Sequence, residues 1–344
     1  MGITLVLLAA LCTTAYSITV EEFKALPIPE SASNLEGQAF VDFINENQPF
    51  YKAEIPKMSF EQFQSRLMNF KYLKKPVHAK TADELVLNEP IPERFDAREK
   101  WPYCDSMKQI RDQANCGSCW AVSAASTMSD RLCAHSQGEK KTIISDTDIL
   151  ACCGSLCGEG CEGGVLLEAW EFVMKEGACS GGPYLAKDCC KYYPFHPCGK
   201  HAGQPYYGEC SGTRKTPACR KTCAFGYKPK YDKDKNYASS AYCVNATEEA
   251  IQKEIMINGP VQTGYEVYSD FYFYKRGVYV HKTGKQYGAH AVKIIGWGVE
   301  NGVKYWLVAN SWNYDWGEDG FFKILRGTNE CNIESWVVAG AMKV

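Results

Sequence analysis

Two cysteines three apart, Cys116 and Cys119, sit in the stretch QANCGSCWAVSAAS from Gln113 to Ser126. That spacing suits a disulfide staple, a metal knuckle, a redox dithiol or a nucleophile at the head of a helix. Beyond Cys119, the residues Val122, Ala125, Met128 or Ser129 and Leu132 recur at helical spacing with no proline or internal glycine, which predicts a helix beginning at Cys119. Unpaired amide N–H groups and the positive end of the helix dipole favour thiolate over thiol at such a position. A thioredoxin-like dithiol would want a βαβ pattern ahead of it, and none is found.

A nucleophilic thiolate needs a base, and the chain has six histidines. His135 lies roughly four to five turns along the same helix, too far to fold back at about 1.5 Å of rise per residue. His78 belongs to an N-terminal segment that reads as separate from the body of the protein. His196 and His201 stand in a Pro-, Gly- and Cys-rich loop, and His281 in an HKTGK turn. His290, in YGAHAVKIIGWG, sits between small residues and leads into a Val- and Ile-rich strand that would hold its ring rigidly with room for a substrate beside it. Taken alone, a strand histidine is more often structural than catalytic. The next apolar run supplies an orienting partner, for a strand over 305–309 ends in Asn310, whose side-chain carbonyl can accept a hydrogen bond from an imidazole, with Trp312 and Trp316 close behind to exclude water. Gln113, ahead of Cys119, offers an amide donor that could join the Cys119 backbone N–H in binding an oxyanion.

The elements that must position these groups belong to an ordinary globular chain. With 344 residues, 45% of them hydrophobic and 23% charged, it can bury a large core in roughly two domains. A net charge of −2 gives no electrostatic footprint for nucleic acid or an anionic membrane. Residues 1–17 read as a secretory signal with an apolar run too short to span a bilayer, and no other stretch is apolar enough to cross one. Export agrees with 18 cysteines, since disulfides persist in oxidising compartments, and makes Asn245 in Asn245-Ala246-Thr247 a glycosylation acceptor. Seventeen cysteines remain after the signal, so at least one is left unpaired or bridges to another chain. Zinc is the rival reading of the crowded cysteines, disfavoured by oxidising export and by the lack of histidines in ligand spacing.

Residues 18–90 contain no cysteine and two helical patterns: Phe40, Phe43 and Ile44 on one face, and a second helix opened by a Ser59/Gln62 capping box whose stripe runs through Phe60, Phe63, Leu67 and Phe70. A polar, proline-punctuated linker follows. The segment reads as a propeptide, with processing expected in the linker before Arg94.

At these residues the sequence resembles the papain-type cysteine peptidases: Gln113, CGSCW, His290 in GAHAVKIIGWG and Asn310 in NSW match the family pattern. The family places its histidine and asparagine about 130–150 residues after the cysteine. Here 171 residues separate Cys119 from His290, which implies an insertion between Lys187 and Tyr242. ERFDAREKWPYC, CCGSLCGEGCEGG and PCGKHAGQPYYGEC resemble the cathepsin B-like branch and its occluding loop. That resemblance implies an α+β, papain-like two-domain fold: a mostly helical left domain over 91–238 carrying an occluding loop at 198–210, and a mostly β, barrel-like right domain over 239–344, with the active-site cleft between them. It further implies six bridges, joining Cys104 to Cys133, Cys116 to Cys161, Cys152 to Cys219, Cys153 to Cys157, Cys190 to Cys223 and Cys198 to Cys210. Cys119 is then free, while Cys179, Cys189, Cys243 and Cys331 have no assigned partner.

The implied activity is hydrolysis of polypeptides by a secreted or lysosomal zymogen. Cys119 would serve as nucleophile, His290 as base and then acid, Asn310 as orienter and Gln113 as oxyanion donor, with no metal or organic cofactor. Substrate would lie extended against Gly163 and Gly164 and beneath Trp312. Trp336 stands where the branch carries a glutamate at the base of the pocket for the residue two before the cut, so apolar side chains should replace arginine there. In the loop, one of two adjacent histidines has become Lys200; His201 keeps the binding of a substrate's terminal carboxylate, and Lys200 is expected to pair with Asp112 and hold the loop shut toward neutral pH. Endopeptidase activity should then exceed peptidyl-dipeptidase activity. The stretch Tyr305–Glu318 resembles a motif of cathepsin B-like gut peptidases of blood-feeding worms, which implies haemoglobin as a substrate. Partners implied are the chain's own propeptide and cystatin-type inhibitors. A catalytically silent, disulfide-rich binding protein on the same fold is the alternative from another class.

Overall fold

The computed structural model describes residues 18–29, 32 and 35–344, so the expected signal segment lies outside the described residues. A helix over Cys119–His135 forms the spine of the left half. All of it is buried except Ser126 and His135, and a helix enclosed all round must satisfy its own polar groups. It does: the hydroxyls of Ser123, Thr127 and Ser129 donate to the carbonyls one turn back, Cys119, Ser123 and Ala125, at 2.6–2.8 Å. Helices over Asp146–Cys152 and Leu166–Glu176 pack beside it.

Strand β1 (Tyr51–Ala53) and β2 (Phe95–Asp96) come first along the chain, and β3 (Gly181–Gly182) and β4 (Lys191–Tyr192) form a small parallel pair in the left half. The right half holds β5 (Tyr242–Cys243), β6 (Val261–Tyr268), β7 (Tyr274–Tyr279), β8 (Gln286–Glu300), β9 (Val303–Ala309), β10 (Phe321–Leu325) and β11 (Val338–Ala339). Their order is β1-β7-β10-β9-β8-β6-β11-β5, with β2 added to β8. The path is open, so the right half is a curved sheet whose two ends do not meet, where the resemblance implied a barrel-like domain. Its core is aromatic, with Tyr265, Phe271, Tyr279, Trp306, Trp312 and Phe322 in one buried cluster.

The halves are tied across their interface by buried charge. The Arg131 guanidinium, on the spine helix, donates to Glu254 at 2.8 Å and to the carbonyls of Gly259, Pro260 and Gly340. Lys293 on β8 meets Asp130 at 2.5 Å. Removing one partner of a pair enclosed in this way leaves an uncompensated buried charge, a loss of about 3–5 kcal/mol.

Six disulfides connect Cys104–Cys133, Cys116–Cys161, Cys152–Cys219, Cys153–Cys157, Cys190–Cys223 and Cys198–Cys210. Cys119, Cys179, Cys189, Cys243 and Cys331 carry free thiols.

The segment before residue 91 does not form a core of its own. Its helix over Gly37–Asn47 buries Phe40, Val41 and Ile44, and its helix over Phe60–Ser65 buries Phe63, within the aromatic cluster of the right half. The Ser59/Gln62 capping box is present. The helix stops at Ser65, however, and the expected stripe through Leu67 and Phe70 is broken, because the backbone beyond Arg66 leaves the helix to bond with the body: Met68 exchanges hydrogen bonds with Ala289 at 2.9 and 3.0 Å, and the Asn69 N–H donates to Glu162 at 3.1 Å. Upstream, β1 adds antiparallel to β7 and becomes the end strand of the sheet. Gly277, at φ +91°, permits that approach, since a Cβ there would stand 2.6 Å from the Phe50 carbonyl.

Candidate active site

Cys119 opens the spine helix and His290 lies on β8, whose Ala289 and Ala291 pack in the same buried cluster as Cys119. The backbones of Ala291, the residue after His290, of Trp120 and Cys119 themselves, and of Met68 from the N-terminal segment all act on the thiol electrostatically. His290 Nε2 is 2.7 Å from Asn310 Oδ1. That oxygen also accepts the Ser311 N–H at 2.8 Å, so Nε2 is the nitrogen that carries the proton. Nδ1 is left unprotonated, buried and without a partner among the described residues. Trp312 stacks on the imidazole at 4.7 Å and 28°, shielding its bond to Asn310.

Gln113 lies beside this pair. Its Oε1 accepts the Ser311 hydroxyl at 2.6 Å, which turns its Nε2 toward the carbonyls of Cys116 and Arg66, both at 2.8 Å. A donor aimed in this way could stabilise a developing oxyanion. The Arg66 carbonyl holds it instead. Downstream of Arg66 the segment fills the rest of the cleft: an added Cβ at Gly163 would lie 2.4 Å from Tyr72 and 2.9 Å from Met68, and one at Gly264 would lie 2.4 Å from Leu73. Gly164 is hemmed in by Trp120, at 2.6 Å from an added Cβ. Glycines at 163 and 264 therefore let a chain lie close against the floor and wall. Trp336 is half-buried against the cluster that contains Tyr72, Leu73 and Leu166, and its indole N–H has no acceptor among the described residues.

Enclosure reverses the expected ionisation of the two reactive groups. Burial pushes the Cys119 thiol up to about 12 and His290 down to about 4, the latter despite its bond to Asn310 and with the Arg66 charge adding to the depression. The helix terminus favours a thiolate, but desolvation by burial outweighs it. In this covered state the pair is a neutral thiol and a neutral imidazole.

The loop over 198–210 sits at one end of the cleft, and here the structure corrects the sequence reading. Lys200 is exposed and makes no ion pair among the described residues. His201 makes the clamp: Nδ1 lies 2.8 Å from Asp315, and Nε2 lies 3.1 Å from the Cys198 carbonyl and 3.7 Å from Asp112. Asp112 is already engaged, accepting the Ala114 N–H at 2.8 Å and the Asn313 amide at 2.9 Å, so the inward-facing histidine shares it and the outward-facing lysine does not. Asp315 was not identified from sequence; its place three residues after Trp312 carried no signal. Arg66 and Ser311 were missed for the same reason, each acquiring its role only when distant chain segments meet. Asn245 is exposed just ahead of the helix that Thr247 caps.

Residues 91–341 match the model of the family described as papain family cysteine protease. The chain is 46% identical over 336 residues to Cathepsin B-like cysteine proteinase 1 of Haemonchus contortus, covering 97% of each. It is 45% identical over 341 residues to a Gut-specific cysteine proteinase of Caenorhabditis elegans, covering 98% of this chain and 99% of that one. Among solved structures it resembles procathepsin B S9 from Trypanosoma congolense, with a TM-score of 0.77 and 36% identity over 90% of this chain and 99% of that one.

Proposed function

The chain belongs to the papain family of cysteine proteases, in its cathepsin B-like branch, and we propose that Cys119 is its nucleophile, His290 its base and acid, Asn310 the orienter and Gln113 an oxyanion donor. The observation that carries this reading is Nδ1 of His290, buried and unpartnered among the described residues and fixed as an acceptor by the bond from Nε2–H to Asn310. Once the cleft is open, Nδ1 takes the thiol proton and the sulfur attacks the peptide carbonyl. The carbonyl oxygen, now negative, receives bonds from Gln113 Nε2 and the Cys119 N–H. His290 then passes its proton to the leaving amine, and water, deprotonated by the same nitrogen, releases the acyl group from sulfur. Substituting Cys119→Ser should leave the fold intact and reduce peptide cleavage to near background; substantial residual turnover would overturn the assignment.

The enzyme is made as a zymogen, and residues 18–90 act as its inhibitor. They place the Arg66 carbonyl on the oxyanion donor, lay Met68–Leu73 through the cleft and keep the reactive pair neutral. Processing in the linker before Arg94 removes all three effects. His201, held over the end of the cleft, receives a substrate's terminal carboxylate, which gives peptidyl-dipeptidase activity beside the endopeptidase activity. Export by a signal over residues 1–17, glycosylation at Asn245 and inhibition by cystatin-type proteins complete the reading. The motif from Tyr305 to Glu318, together with the gut-specific name of one relative, supports digestion of ingested protein such as haemoglobin.

A further inference from the structure

His78, set aside above because it belongs to the N-terminal segment, meets two glutamates across the boundary between that segment and the body. Its Nε2 is 2.8 Å from Glu171 Oε2 and 3.9 Å from Glu168 Oε1. The two carboxylates are three residues apart on the helix over Leu166–Glu176 and therefore share a face. One ligand atom from each of the three residues lies within 4.8 Å of the other two. Glu168 is only 9% exposed, and its second oxygen, Oε2, is buried with no hydrogen-bond partner among the described residues. Leaving a carboxylate oxygen buried and unsatisfied is costly unless a cation or a proton completes it.

We propose that His78, Glu168 and Glu171 form a zinc site that fastens the N-terminal segment to the protease body. One imidazole nitrogen and two carboxylates suit Zn²⁺, with water as a fourth ligand. Bonds of about 2.0–2.1 Å in a tetrahedral site put neighbouring ligand atoms roughly 3.3 Å apart, between the 2.8 and 3.9 Å already present. Small side-chain adjustments would admit the ion. The backbone on either side of His78 is anchored independently. Leu73 packs onto Gly264, the Cys243 N–H donates to the Lys80 carbonyl at 2.8 Å, and the Ala82 N–H donates to the Cys243 carbonyl at 2.8 Å, so the histidine is presented from a segment held at both ends. The site joins one residue ahead of the expected processing point, His78, to two residues of the body, Glu168 and Glu171, and is dismantled when residues 18–90 depart. Bound zinc therefore holds the segment in the cleft even after the linker is cut. This consequence rests on the inhibitory reading of residues 18–90, whereas the site itself does not.

The test uses the full-length precursor carrying Cys119→Ala, which prevents self-processing and removes a competing thiol. Titration calorimetry with Zn²⁺ should give one ion per chain with micromolar or tighter affinity and a raised Tm. His78→Ala, at an exposed position, and Glu168→Gln should each weaken binding at least tenfold while leaving the Tm in EDTA unchanged. No binding at 100 μM Zn²⁺, or equal affinity in the His78→Ala precursor, overturns the proposal. Zinc binding that is lost in both variants, in a precursor whose segment fails to inhibit the mature enzyme, would leave the site standing and refute the inhibitory reading instead.

Discussion

The His201 clamp predicts a pH dependence that can be worked through from its contacts. Its bond to Asp315 raises the imidazole pKa, opposed by burial and assisted by Asp112, while Asp315 is lowered by the same bond against its own burial. Each group therefore adds loop-closing free energy over a different range. For His201 the contribution is full below its ordinary value of about 6.5 and is lost as pH rises through the raised value. For Asp315 it is present above about 3.9 and is lost as pH falls through the lowered one. The clamp is therefore complete from mildly acidic pH to just above 6 and fails toward alkaline pH, the reverse of what a Lys200 clamp would give. A charge-assisted hydrogen bond is worth about 1.5–3 kcal/mol, and this one is partly exposed on the Asp315 side, 20% by side chain, so screening puts it at the lower end. That corresponds to roughly a tenfold change in the ratio of closed to open loop, 1.4 kcal/mol being a factor of about ten. Gln204, bonded to Asn313 at 2.8 Å, keeps the loop from opening altogether. In mature enzyme at pH 5.5, Asp315→Asn should lower dipeptide release relative to endopeptidase cleavage by about that tenfold factor and flatten the pH profile of the ratio, while Lys200→Ala changes neither. An unaltered profile in Asp315→Asn, or a shifted one in Lys200→Ala, would refute the assignment.

Gln113→Ala removes one oxyanion donor and should lower kcat about 100-fold or more with little effect on KM; a change confined to KM would place Gln113 in substrate binding instead. Cys119 in the precursor should react with iodoacetamide at pH 7 about 1000-fold more slowly than a thiol of ordinary pKa 9, because its value stands near 12; comparable labelling of precursor and mature enzyme would contradict the covered state. Ser59→Ala, which removes the capping hydroxyl bonded to Gln62, costs about 1 kcal/mol of helix stability and should speed that labelling about fivefold; an unchanged rate would mean that this helix does not gate the cleft. With Trp336 in place of a carboxylate, Phe-Arg substrates should be cleaved in preference to matched Arg-Arg substrates, and efficient Arg-Arg cleavage would exclude the apolar pocket.

Reading the sequence alone located what local pattern governs. The helix starting at Cys119 follows from an alanine-rich run without breakers, and the strand carrying His290 and the one ending at Asn310 follow from β-branched and aromatic residues. It erred where local pattern competes with distant partners. The stripe from Phe60 to Phe70 has helical spacing throughout, but Met68 gains more from pairing with Ala289 than from another helical turn. β1, three residues long, is invisible without β7 beside it. Lys200 and His201 are neighbours in a loop with no repeating pattern, so nothing in the sequence says which one turns inward. The thiolate expected at the helix terminus likewise ignored the cover that desolvates it.

The pairing of β1 with β7 has a consequence after maturation. On the proposal that residues 18–90 are removed, their departure would turn β7 from an inner strand into the rim of the sheet and bare the N–H and C=O groups that faced β1. Bare rims of this kind recruit further strands and seed aggregation unless something spoils the template. In β7 the spoiling residues are Lys275 and Arg276, followed by Gly277 in its left-handed conformation. Two adjacent positive charges and a kinked backbone make this rim a poor partner for another copy of itself. The same glycine that admits the segment during biosynthesis thus guards the working enzyme, at high local concentration, from sticking to its neighbours.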